Sequence, residues 1–219
     1  MRLVLLALCA SASAQGGLDC VVDGLGGADR IDALREVVLD ATTEARLADR
    51  DTRTRTRVVL RPDETAWTVR PGTRRAQTTR ATPDSVTVRP GGLRLGGDVG
   101  TLAGEPARRV RQSAWLHPTA LALRRDHAEA EEGEGCDGVL QVAVPDFPEP
   151  LVIQLDDDGR PRLLSTFRQR GGERVYLSVQ YADYRETDGL WTPRQMVVAE
   201  GGVETGRTRV TEVTVRDGR

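Results

Sequence analysis

Hydrophobic positions recur along this chain with two periods. From Val37 to Leu47 the odd positions hold Val37, Leu39, Ala41, Thr43, Ala45 and Leu47, while the even ones include Asp40, Thr42, Glu44 and Arg46. A period of two sorts these residues onto opposite sides of a strand with one wet face. The next stretch repeats the pattern, with Thr52, Thr54, Thr56, Val58 and Leu60 against Arg53, Arg55, Arg57 and Arg61. Trp67 and Val69, then Val86 and Val88, then Leu93 and Leu95 continue it, separated by Pro71-Gly72, Pro83-Asp84 and Pro90-Gly91-Gly92. From Val139 onward come six more β-type segments. Asp158-Gly159, Gly171-Gly172, Asp188-Gly189 and Gly201-Gly202 mark hairpin turns between them.

The helical period is confined to two places. Leu18, Val21, Val22 and Leu25 share a helix face, Gly26-Gly27 interrupts, and Ala28 to Leu34 resumes. In the middle, Pro106 suits a first helical turn, with Val110 and Ala114 following at four-residue spacing. Thr119 to Ala130 reads as a second short helix, and Asp126 to Asp137 as an acidic exposed loop. The pattern predicts a mainly β protein with a few helices. A strongly curved antiparallel sheet buries its apolar side under those helices, because a sheet of this many strands must curl.

The N-terminus changes the compartment. Arg2, the apolar run Leu3 to Ala10 and the small-x-small triplet Ala12-Ser13-Ala14 predict a signal peptide over 1–14. One domain then fills 15–219, exported to the periplasm. Two cysteines remain there, Cys20 and Cys136, able to form a disulfide in an oxidising compartment or to stay unpaired.

Charge and composition narrow the function. The chain has 219 residues, 31 basic and 33 acidic, for a net charge of −2. All the basic residues are arginine, and asparagine is absent. A net negative chain is not the profile of a nucleic-acid binder, which carries a basic surplus to neutralise phosphates. The arginines of 53–61 read first as the solvated face of a strand, with Asp40 and Glu44 placed to oppose them. No nucleophile elbow, phosphate loop or dinucleotide-binding glycine motif occurs. His117 reads as a loop or helix-end residue. His127, Glu129, Glu131, Glu134 and Cys136 match no standard metal-ligand spacing. No catalytic residue, metal or cofactor is expected.

Two motifs carry a resemblance. Gly26-Gly27-Ala28-Asp29-Arg30-Ile31-Asp32-Ala33-Leu34, followed by a long strand, and Asp183-Tyr184-Arg185 with Gly189 and Pro193 resemble segments of the outer-membrane lipoprotein-sorting (LolA-like) family. The order of elements is similar too. The resemblance implies an open half-barrel with a helical lid over an apolar cavity, used without catalysis to carry lipid or lipoprotein acyl chains. The cavity residues expected are Trp67, Val69, Val86, Val88, Leu95, Trp115, Leu116, Leu177, Val179 and Met196. Relatives of the RseB type imply an alternative, an envelope protein-interaction or stress-sensing module with a membrane-protein partner. A monomer is expected in either case.

Overall fold

The computed structural model describes residues 16–47, 50–71, 75–90, 99–131, 138–145 and 147–218. The expected signal peptide, Leu95, Glu134 and Cys136 lie outside these residues. Two short helices, α1 (Gly16–Leu25) and α2 (Ala28–Ala33), lead into the strands. The first six strands are β1 (Leu34–Leu47), β2 (Arg50–Leu60), β3 (Thr65–Pro71), β4 (Gln77–Ala81), β5 (Val86–Pro90) and β6 (Gly100–Leu102). Helices α3 (Gly104–Trp115) and α4 (Pro118–Leu123) follow. Seven strands complete the chain: β7 (Glu129–Glu131), β8 (Val139–Ala143), β9 (Leu151–Leu155), β10 (Pro161–Arg170), β11 (Glu173–Thr187), β12 (Leu190–Glu200) and β13 (Val203–Asp217).

All thirteen strands form one antiparallel sheet in the order β6-β5-β4-β3-β2-β1-β13-β12-β11-β10-β9-β8-β7. Every neighbour is consecutive in sequence except β1 and β13. The two edges are the short strands β6 and β7. The chain between them is the helical segment α3–α4, so the cover links the two rims of an open sheet. The hairpins turn at the expected glycines. Gly171 and Gly172 take φ of 60° and 87°, and Gly201 and Gly202 of 58° and 82°. Positive φ at both central residues gives the turn twist that suits the flanking strands.

The alternation of β1 sorts as its sequence predicts. Val37, Leu39 and Ala41 enter the main core with Leu60 of β2 and Val210 of β13. Leu18, Val21, Val22 and Leu25 of α1 and Ala120, Leu121 and Ala122 of α4 cover them from above. The second central helix is shorter than its composition suggests. It stops at Leu123, and Glu129–Glu131 pairs instead with β8 as an edge strand. Pairing to an open sheet edge outweighs the helix propensity of an Ala/Glu stretch.

Helix α1 lies hard against the β9–β10 turn. A Cβ built on Gly24 would stand 2.5 Å from the carbonyl carbon of Gly159, which is backbone and cannot swing aside. Cys20, on the same helix, is disulfide-bonded. Alanine at position 24 gains roughly 1 kcal/mol of helix propensity but meets that backbone, and overpacking costs about 1–3 kcal/mol. Gly24→Ala is therefore expected to lower the thermal midpoint by several degrees. A midpoint that rises would disprove the close approach.

Candidate functional site

Among the described residues, two buried side chains, Arg124 and Tyr181, tie the helical cover to the sheet. Arg124, just after α4, is 7% exposed. Its Nε donates to the Pro62 carbonyl at 3.1 Å. One Nη donates to the Ala114 carbonyl at 3.1 Å, and the other to the Arg61 carbonyl at 3.3 Å and Thr65 Oγ1 at 2.6 Å. The guanidinium also stands 5.7 Å from the Trp115 ring centre. Burial pushes its pKa down to about 10, with Asp63 opposing the shift, so the group stays charged at neutral pH. A carbonyl in the last turn of α3 and two from the β2–β3 turn thus share one cation. This is the arrangement a helix C-terminus favours.

The second tether is Tyr181 on β11, whose hydroxyl donates to the Leu116 carbonyl at 2.7 Å in the turn between α3 and α4. Burial raises the Tyr181 pKa well above the phenol range, so the proton stays available for that bond. His117 begins α4. Its Nδ1 accepts from the Thr119 N–H at 3.2 Å, and Pro118 takes the first helical position. Because Nδ1 accepts, the neutral ring carries its proton on Nε2, which is buried without a partner. Burial pulls the His117 pKa down to about 4.

An apolar cleft of about 130 Å³ opens where this cover meets the sheet. Ala114 and Trp115 of α3 form one wall, and Pro62, Ala81 and Pro83 of the sheet turns the other. Arg111, Arg124 and His127 set positive or protonatable groups around it, with Asp63 facing them.

Of the expected cavity residues, Trp115 lines this cleft. Val86 is fully buried in a smaller cluster with Ala81, Ala107 and Ala114, and Trp67 packs on that cluster. Val179 is in the main core, and Leu116 and Met196 pack against it. Leu177 is 1% exposed on the same side of the sheet. Val69 and Val88 are half-buried on the sheet beside Trp67. The structure therefore gathers these residues on one side but packs most of them. The residues that sequence reading missed are Arg124 and the prolines Pro62 and Pro83. Arg124 closes the apolar run Ala-Leu-Ala-Leu, and a cation ending such a run was the available clue.

Further along, the same side of the sheet turns polar. Thr43 Oγ1 lies 3.4 Å from Thr56 Oγ1 and 3.0 Å from Thr208 Oγ1. On β10 and β12, Arg168 pairs with Glu200, their side chains 13% and 15% exposed. The greasy part of the trough is the part beneath the helices.

Two outcomes test this account. Arg124→Met strands the carbonyls that the guanidinium satisfies, at a cost of about 2–4 kcal/mol. The thermal midpoint should fall by roughly 5–15 °C; a change within 2 °C would remove Arg124 as the tether. His117 binds its proton only near pH 4 when folded but near pH 6.5 when unfolded. The unfolded chain thus takes up more protons between these values, and stability falls as pH drops from 6.5 toward 4, by on the order of 3 kcal/mol. His117→Asn keeps a capping acceptor and should flatten the denaturation profile across that window; an unchanged slope would contradict the assignment.

No protein-family profile matches the chain, and no curated protein sequence matches it. Solved structures do match. A LolA superfamily protein from Nitrosomonas europaea superposes with a TM-score of 0.61 at 11% identity, covering 95% of this chain and 96% of that one. A domain assigned to outer membrane lipoprotein sorting from Vibrio parahaemolyticus gives 0.59 at 13% identity, covering 93% of each. A DUF1329 family protein from Desulfovibrio piger gives 0.62 at 12% identity, covering 95% of each. At such identities the likeness is one of architecture: the chain has the LolA-like fold, an unclosed antiparallel sheet with helices over its apolar side.

Proposed function

We propose that this protein is a non-enzymatic periplasmic carrier or binding module that takes an acyl chain of a lipid or lipoprotein at the Trp115 cleft. The observation that carries the reading is the apolar cleft at the joint between cover and sheet, in a fold shared with a lipoprotein-sorting domain. At about 30 Å³ per small group, the cleft admits about four methylenes. Their burial contributes roughly 3 kcal/mol, enough to seat the tip of a chain. A longer chain requires α3 to lift. Gly104, at φ 62°, starts that helix, and the Leu116–His117 turn ends it. Lifting α3 would uncover Trp67 and Val86.

The groups with shifted protonation do not converge. His117 caps α4, Tyr181 and Tyr184 donate to backbone carbonyls, and Arg124 donates to three carbonyls and the Thr65 hydroxyl. This supports a binding role over a catalytic one. The small volume of the cleft favours one alternative, a protein-interaction or stress-sensing module of the same fold that carries no lipid.

The test is mass spectrometry of the purified chain together with titration of a fluorescent long-chain acyl probe. Bound lipid and saturable probe binding are expected, with Ala114→Phe filling the cleft and weakening the probe at least tenfold. Lipid-free protein that ignores the probe would shift the reading to the interaction module.

A further inference from the structure

The side of the sheet away from the helices carries an arginine field that the acyl cleft does not use. Register places Arg57, Asp40 and Glu212 in one row across β2, β1 and β13, and Arg53, Glu44 and Arg207 in another. Between them runs a row of Arg70, Arg55, Thr42 and Arg209. The flanking rows pair weakly across strands, Arg57 to Asp40 at 3.6 Å and Arg53 to Glu44 at 3.8 Å. Among the described residues, no carboxylate pairs with Arg55, Arg70 or Arg209. All three are exposed.

A β-bulge bends the sheet here. Asp40 faces Glu212 while Ala41 faces Val210, so Thr211 is the extra residue, held by its hydroxyl to the Asp40 carbonyl at 2.9 Å. Two shallow grooves meet at Thr211. One is flanked by Arg55, Arg57 and Arg70 with a single carboxylate, Asp40. The other is flanked by Arg185, Arg194 and Arg209 with a single carboxylate, Asp183. The two grooves together carry six arginines and two carboxylates, with Glu212 and Glu44 in the flanking rows, on a chain whose net charge is −2. The surplus is local and oriented.

We propose that this arginine face docks electrostatically on the phosphate headgroups of an anionic membrane. The chemistry of the patch selects that partner. Protein interfaces are anchored by buried aromatic or large apolar side chains, and single-stranded nucleic acid needs aromatic platforms for its bases. Neither groove is flanked by an aromatic residue, and the exposed large hydrophobics, Val99, Val139, Tyr176 and Val203, belong to neither. What remains is a set of guanidiniums, among which Arg55, Arg70 and Arg209 pair with no described carboxylate and can fork onto phosphate oxygens. Such contact is reversible and salt-sensitive, and it leaves the helical side free.

The test is co-sedimentation of the purified chain with vesicles of phosphatidylglycerol, against vesicles of phosphatidylcholine that report any apolar insertion. Binding to the anionic vesicles alone is expected, declining as salt rises from low to physiological strength. Replacing Arg55, Arg70 and Arg209 by Gln together should weaken it about a hundredfold, at about fivefold per arginine. Replacing Arg108, Arg109 and Arg125 by Gln makes the same charge change on the helical side and should have little effect, with circular dichroism confirming both folds. The proposal fails if the wild-type chain ignores anionic vesicles, if the first triple variant binds as well as wild type, or if both variants lose binding equally. Capture by an acidic peptide without vesicle binding would overturn it in favour of a protein partner. Ala114→Phe should leave vesicle binding intact, so failure of the acyl reading and failure of this one are separately visible.

Discussion

Arg124 brings a positive charge into an environment that penalises it, and among the described residues no carboxylate bonds to it, Asp63 acting only across the cleft. The charge is tolerated because carbonyl oxygens from two different pieces of structure converge on it. One belongs to the last turn of α3, where a helix leaves its acceptors unsatisfied; the others belong to the turn between β2 and β3. Each piece supplies what the other lacks. A sheet with one apolar side needs a cover, and α3 and α4, which with α1 make that cover, need a fixed register on the sheet. The guanidinium fixes that register, and the cleft beside Trp115 exists because the joint spans the gap instead of closing it.

The division of the trough into greasy and polar halves follows the composition of the strands. β1 begins with Val37 and Leu39 and continues with Thr43, and β2 runs the opposite way from Thr52 through Thr56 to Leu60. Antiparallel pairing therefore stacks valine and leucine at one end and threonine at the other. The helices settle over the first end, where burial is rewarded. Hydroxyl groups line the second, bonding to one another and to strand carbonyls.

Much of this architecture was legible in the residues. Alternation along 37–60 identified strands and the side each would bury, and paired Gly residues marked the hairpins. What stayed hidden was occupancy. A period of two says which side chains leave the solvent, and nothing about whether a helix or a ligand displaces the water. Val86 and Leu177 carry the same pattern as Val69, yet the first two are sealed and the third is half-buried, because α3 and the neighbouring strands cover them unequally. Arg124 was hidden for a related reason. Its environment is assembled from residues about sixty positions away, and no local pattern announces a buried cation. The end of α4 at Leu123 was likewise decided by a strand edge that local propensity does not register.

The seam between β1 and β13 has a consequence for how the molecule forms. Glu36 and Arg216 are bonded across it although 180 residues separate them in the chain. Each wing of the sheet can assemble from nearest-neighbour hairpins, a fast and local process. Joining the wings requires one closure of very high contact order, which is slow and waits for synthesis of β13. Until that closure, the two half-sheets would each expose an unpaired central edge. Maturation of a chain with this topology is timed by the arrival of a single late strand.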